Sequence, residues 1–235
     1  NQKCFRAGLP EDYISFSTKT NYVPFDENNQ QHNDAKAEID DFMEKVFPNP
    51  ALREYMWDHA ASTLIGENIN QKFIIYTGVG GNGKSIWVDL INLMLGDYAD
   101  KINIALLTQK RKSIGGPTPE IAKLKGRRFV SMDEPSAGDE LNEGIMKQMT
   151  GGDEMEGRAM YAKKMLKFVP QFELTCCTNH LFTIKSTDKG TWRRIRQVDF
   201  MAEFVDPEDY AQKKKNGLTN DPKRPIYIKD QTMKD

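Results

Sequence analysis

Eight consecutive residues constrain this chain more than any others: Gly78-Val79-Gly80-Gly81-Asn82-Gly83-Lys84-Ser85. They fit the pattern G-x-x-x-x-G-K-S/T, and their surroundings fit it too. Phe73-Ile74-Ile75-Tyr76, just upstream, is a short continuous apolar run of the kind a buried parallel strand requires. Ile86 to Leu95, just downstream, reads as a helix closed by Gly96. In such a strand–loop–helix, glycines let backbone N–H groups turn inward around phosphate oxygens, and the helix N-terminus adds partial positive charge. Lys84 suits the β- and γ-phosphates of ATP, and the Ser85 hydroxyl suits Mg2+. Gly78, Gly80 and Gly83 also spell G-x-G-x-x-G. A dinucleotide site would need an acidic residue at the end of the second strand. The strand expected from Ile102 to Leu107 is followed by Thr108-Gln109, which sets that reading aside.

The rest of the chain arranges itself around this loop. At 235 residues it can bury a full core as one main domain with a small appendage. It begins at Asn1 and reads as a piece of something longer. Residues 1–65 form an expected N-terminal helical segment. Ile39, Phe42, Met43, Val46 and Phe47 recur at helical spacing until Pro48 stops them. Asn49-Pro50 then starts a second helix with Leu52, Tyr55, Met56, His59, Thr63 and Leu64 on one face. His59 there reads as a packing histidine. Residues 66–204 form the expected core. A short helix should run from Pro119 to Gly126, and another carries Leu141, Ile145 and Met149. Strands are expected at Phe129–Met132, Phe172–Thr178 and Ile195–Phe200. Strands alternating with helices predict an α/β fold: a parallel sheet flanked by helices, preceded by the small helical segment. Residues 205–235 are polar, contain Lys213-Lys214-Lys215, and read as a solvated C-terminal extension.

Composition excludes several classes. The net charge of −1 gives no global basic field, although a ring can confine positive charge to its pore. Cys4, Cys176 and Cys177 lack metal-site spacing, and adjacent residues of a strand face opposite ways. They read as reduced thiols. No secretory signal pattern and no membrane-length apolar run is present, so the expected location is intracellular.

Three further clusters carry chemistry. Asp133-Glu134 follows the third strand. Asp133 would hold Mg2+, and Glu134 would polarise an attacking water. Read without the phosphate loop, the pair is a solvated turn before Pro135. Asn179 ends the fourth strand, where an amide can bond both a γ-phosphate and a water, or simply form a turn. Arg193 or Arg194 could stabilise a neighbouring subunit's transition state. The bland reading is a basic strand edge or a cation–π pair with Trp192.

These elements, in this order, resemble the superfamily 3 (AAA+-like) helicases, and most closely the helicase half of the primase-helicases of large DNA viruses and some phages. The likeness covers about residues 70–200 well and residues 1–65 less specifically. It assigns the phosphate motif to Gly78–Ser85, the acidic motif to Asp133 and Glu134, the sensor to Asn179, and the arginine finger to Arg193 or Arg194. It also implies a hairpin between Lys147 and Met165 whose tip lines the pore and grips nucleic acid, with Lys163 and Lys164 at that tip. Read from the residues alone, the pair is a charged surface hairpin. Lys110 to Gly116 is a candidate second pore loop. The resemblance implies a homo-oligomeric ring, usually of six, that hydrolyses ATP at subunit interfaces and moves on single-stranded DNA at a fork. It also implies a primase domain that is absent from this chain, and a host cytoplasmic or nuclear setting. Two other readings stay open: a monomeric phosphate-loop kinase, and a non-translocating ATP switch.

Overall fold

The computed structural model describes residues 6–109 and 118–230. Cys4 and the loop Lys110 to Gly116 lie outside them. Helix α1 (Gln30–Val46) begins where the Asn29 side chain accepts from the Gln31 and His32 N–H groups. Helix α2 (Pro50–Ser62) is capped in the same way by Asn49. Both caps satisfy N–H groups that a helix start leaves unpaired. Strand β1 (Phe73–Thr77), the phosphate loop and α3 (Lys84–Leu95) follow. Next come β2 (Ala99–Ile102), α4 (Ala105–Thr108), α5 (Pro119–Ala122), β3 (Phe129–Met132) and α6 (Glu143–Thr150). A hairpin of β4 (Met155–Gly157) and β5 (Leu166–Phe168) precedes β6 (Glu173–Thr178), α7 (Lys189–Trp192) and β7 (Ile195–Asp199). The chain ends with β8 (Glu203–Val205), α8 (Pro207–Lys215) and β9 (Ile226–Ile228).

The main sheet has five parallel strands in the order β2-β3-β6-β1-β7, as the alternation of elements predicted. Strand β1 lies between β6 and β7, so the phosphate loop leaves the sheet's interior rather than its edge. Both faces are covered. Phe73 and Ile75 enter a core with α4, α5 and α6 residues, among them Leu107, Ile121, Met146 and Met149. Ile74 and Tyr76 enter a second core with Phe42 and Val46 of α1, Phe47 just after it, Met56 of α2 and Trp87 of α3. Strand residues with both faces buried must be apolar throughout, which is why β1 reads as an unbroken run. The same period of two sends the fully buried Cys176 into the first core and leaves Cys177 against the second. Both thiols are free, and burial raises that of Cys177 to about 11.

Three expectations need correction. The second strand runs Ala99–Ile102, and Leu107 belongs to α4, where it is fully buried. β2 is a sheet edge, so Asp100 and Lys101 can occupy it and the apolar signal shifts three residues onward. Leu64, expected on the α2 face, lies past the end of that helix and is exposed, while α1 and α2 pack on the sheet and share its second core. The extension after residue 204 is polar but folds back. β9 pairs in parallel with β8, Lys213 bonds Glu203 at 2.7 Å, and Phe204 stacks near Tyr227 with ring centroids 5.6 Å apart. A few apolar residues in a polar segment suffice when an existing strand offers a free edge.

Candidate active site

The glycine loop is shaped by its backbone. Gly78, Gly81 and Gly83 have φ of 143°, 73° and 88°, a region that side chains other than glycine rarely adopt. Gly78 also has no room: a Cβ there would meet the Phe200 carbonyl oxygen at 2.5 Å. The buried Asn82 side chain fastens the loop from within. Its amide donates to the Phe200 carbonyl at 3.4 Å, and its oxygen accepts from the Lys84 N–H at 3.4 Å. The Gly81 carbonyl accepts from the Phe204 N–H at 2.6 Å, which ties the loop to the returning C-terminal segment.

Parallel strands bring the predicted polar residues to one end of the sheet. Lys84, Ser85, Asp133, Glu134 and Asn179 line one cavity of about 380 Å³, together with Gly80, Gly81 and Asn82. The Lys84 ammonium donates to the Gly78 carbonyl and to Asn179 Oδ1, the latter at 3.2 Å. The Asn179 N–H donates to Glu134 Oε1 at 2.7 Å, and its side-chain amide to Glu134 Oε2 at 3.4 Å. Lys84, Asn179 and Glu134 are therefore one connected network drawn from three elements. Burial lowers the Lys84 pKa, opposed by Cys177 and Glu134. Gly78 and Val79 border the loop without lining this cavity; Val79 is exposed.

Asp133 forms an ion pair with Lys101 of β2, which the sequence reading did not anticipate. Thirty-two residues separate the two, and only the β2–β3 register, with Lys101 opposite Ser131, brings them together. No local pattern in the chain announces such a pair. The oxygen donors of Ser85 and Asp133 on one cavity suit a hard cation, so the residues fit Mg2+.

The two arginines differ. Arg194 is half-buried and committed: it donates to the Gly190 carbonyl at 3.0 Å and to Gln71 Oε1 at 3.3 Å. Arg193 is exposed, and among the described residues its guanidinium has no hydrogen-bond or ionic partner. Both lie at the opposite end of the sheet from the phosphate loop, because Arg194 O accepts from Phe73 N at 2.7 Å where β1 starts. The length of β1, roughly 15 Å, separates Arg193 from its own glycine loop. The short helix α7 that precedes it is held by Glu143, which accepts from Ser186 N at 2.8 Å and from the Thr191 hydroxyl at 3.4 Å. Sequence reasoning missed Glu143. Trp192 donates to the Ser186 carbonyl at 2.8 Å, and among the described residues no cation stacks on it.

The expected hairpin is present. β4 and β5 pair antiparallel, with Met155 and Phe168 buried at its base. Gly157 packs so closely on α5 that a Cβ would meet Ala122 N at 2.7 Å. Lys163 and Lys164 are exposed in the connection, beside Tyr161, which is 97% exposed and has a φ of 63°.

Comparison with known proteins bears on these features. A model for a family described as a family of unknown function, DUF5906, matches residues 76–194. A protein of Acanthamoeba polyphaga mimivirus, provisionally named a helicase, is 40% identical over 215 residues, covering 91% of this chain and 22% of that protein. One from Frog virus 3, also provisionally named a helicase, is 37% identical over 71% of this chain and 17% of its own length. An African swine fever virus protein provisionally named a primase is 28% identical over 83% of this chain and 20% of its own. The chain thus spans about a fifth of the length of these curated relatives. Among solved structures, the apo C-terminal region of NrS-1 superposes with a TM-score of 0.54 at 15% identity, covering 77% of this chain and 43% of that one. That likeness establishes the fold. The relatives match the resemblance to large-DNA-virus proteins that the motifs suggested.

Proposed function

This chain belongs to the DUF5906 family, and from that premise we propose that it is the ATP-hydrolysing motor portion of a viral-type replication helicase. The observation that carries the reading is the Lys84–Asn179–Glu134 network inside the cavity that Ser85 and Asp133 also line.

Lys84 and the loop N–H groups would hold the β- and γ-phosphates. Ser85 and Asp133 would hold Mg2+, which when bound would offset charge between the phosphate oxygens. Asp133 must then leave Lys101. Glu134 would accept a proton from the attacking water, oriented by the two Asn179 bonds that fix its carboxylate. Asn179 bridges Lys84 and Glu134 and would report the γ-phosphate to both.

Arg193 would complete a neighbouring subunit's site, since it is free and cannot reach its own. Arg194 would position the segment that bears it. A site completed in trans calls for a ring, with six copies as the family expectation. Lys163 and Lys164 would follow the phosphates of single-stranded DNA at a fork, without reading bases. A primase domain elsewhere in the full protein, and work in the host cytoplasm or nucleus, belong to the same proposal. Among the described residues no helix is long and apolar enough to cross a membrane.

The test is ATPase rate against protein concentration, with and without single-stranded DNA. A rate per subunit that climbs with both supports a site completed in trans. A flat rate, blind to DNA, would overturn the ring and favour a monomeric phosphate-loop enzyme.

A further inference from the structure

Lys101 stands at the phosphate end of the sheet, yet the scheme above asks only that Asp133 leave it. Its place there is built. β2 is an edge strand, and its two charged residues, adjacent in sequence, face opposite ways. On one side Asp100 anchors the strand, pairing with Arg127 at 3.1 Å and with Lys123 at 3.4 Å. The Lys123 ammonium also donates to the Lys101 carbonyl at 2.8 Å. On the other side Lys101 lines the phosphate cavity and pairs with Asp133. A lysine on a sheet edge ordinarily keeps its ammonium in water, where it discourages pairing with another strand. This one places it on the carboxylate that suits Mg2+.

We infer that Lys101 is a positioning residue that keeps Asp133 from taking a divalent cation alone, so that metal enters together with nucleotide. The inference rests on the phosphate-loop reading above and deepens it by assigning the order of binding. Three observations carry it. Asp133 already has a cationic partner, and a second cation cannot share that carboxylate without repulsion from the ammonium. The chain offers few other ligands. Among the described residues no group of three or more His, Cys, Asp or Glu is placed to hold a metal ion, and Glu134 is held by the Asn179 N–H at 2.7 Å. A hard cation that takes roughly six oxygens must then draw most of them from phosphate and water. Finally, the pair is shallow: the two side chains are 63% and 56% exposed. Exposed pairs of this kind hold by a factor of about five at most. A latch of that strength biases the site against a bare cation and yields to one that arrives with a triphosphate.

Titration of the nucleotide-free protein with Mn2+, read from the paramagnetic resonance signal of the free ion, tests the inference. Wild-type protein should bind Mn2+ weakly. Lys101→Met should tighten binding about tenfold, because it removes both the competing ion pair and the repulsion of a nearby ammonium. Lys101→Arg keeps the charge and should behave as wild type. Lys101→Met combined with Asp133→Asn should lose the gain. The inference is overturned if Lys101→Met binds Mn2+ within about twofold of wild type, if neither protein binds it, or if Lys101→Arg tightens binding as much as Lys101→Met. It is also overturned if the gain survives Asp133→Asn, which would put the cation on another carboxylate of the cavity, such as Asp89. Calorimetric titration of the wild type with MgATP separates this from the reading beneath it. If MgATP binds while Mn2+ affinity ignores residue 101, only the role of Lys101 is lost. If MgATP does not bind, the phosphate site falls, and the order of binding falls with it.

Discussion

The two ends of the central sheet are built on opposite plans. At the end where β1, β3 and β6 finish, the polar side chains hold one another: Lys84 to Asn179, Asn179 to Glu134, Asp133 to Lys101. At the other end, and on the β4–β5 hairpin, Arg193, Lys163 and Lys164 are exposed, and among the described residues their side chains have no bonded partner. The contrast fits the proposed division of labour between them. Groups that act on a small ligand gain from being positioned beforehand by their own chain, because ordering then costs less when the ligand arrives. Groups meant for a neighbour or a polymer must stay uncommitted, and what the chain fixes instead is the backbone beneath them. Glu143 fixes it for Arg193, and the Gly157 contact fixes it for the lysines.

The sharpest way to break the comparison is at the preorganised end. Lys84→Ala should reduce hydrolysis by at least about a hundredfold while leaving the melting temperature close to wild type, as loss of a transition-state charge contact does. Measurable turnover at the wild-type rate would remove the network from the chemistry.

Next comes the uncommitted arginine. Arg193→Ala should cost about 10³ in rate without loss of stability. Arg194→Ala should instead lower stability by about 1–3 kcal/mol, because its bonds to Gly190 and Gln71 are internal. Mixing Lys84→Ala and Arg193→Ala subunits, each inactive alone, should restore hydrolysis at the interfaces where an intact loop meets an intact arginine. No recovery on mixing would place both groups on one subunit's path.

A smaller effect is expected at the hairpin. Lys163→Ala with Lys164→Ala should keep basal hydrolysis and abolish stimulation by single-stranded DNA. The salt dependence of binding should flatten by about 1.4 logarithmic units per decade of salt for two lost phosphate contacts. Unchanged stimulation would make the tip an ordinary charged surface.

The last effect concerns pH, and it sits at the end away from the phosphate loop. Glu173, at the start of β6, is buried, and desolvation raises its carboxyl to about 7 from an ordinary 4.5. Its contribution to stability is fully present below about 4.5 and is lost as pH rises through about 7. Buried His59 runs the other way: its pKa falls to about 4 from 6.5, so its contribution is present above 6.5 and lost as pH falls through about 4. Glu173→Gln should therefore raise stability at pH 8 relative to pH 5, by at most about 3 kcal/mol, read from denaturant midpoints at the two pH values. A gain that is the same at both would show that the carboxyl is ionised throughout.

Much of this was legible in the chain because burial on both faces forces a strand into an unbroken apolar run. β1 announces itself that way, and β3 and β6 end at Met132 and Thr178, which line the cavity. The glycine loop was legible for a different reason: Gly78 has neither the φ nor the space for a side chain. What stayed hidden depends on register and on distant partners. β2 is an edge strand with one buried side chain among four, so periodicity misplaced it and Lys101 with it. Residues 203–230 are too polar to predict as structured, yet three of their apolar side chains, Phe204, Tyr227 and Ile228, find places on a surface made by residues far earlier. The choice between Arg193 and Arg194 turns on which guanidinium meets Gln71, a residue 123 positions away.

The second core has a consequence for how the molecule comes into being. Its members stretch from Phe42 to Phe200, and the phosphate loop is pinned by Phe200 through Asn82 and by Phe204 through Gly81. Those contacts close chain loops well over a hundred residues long, the kind that form late in folding because closure entropy must be met first. A growing chain therefore has the phosphate motif in hand long before it has a site. The glycine loop takes its final form only once the segment from Phe200 to Phe204 has docked against it.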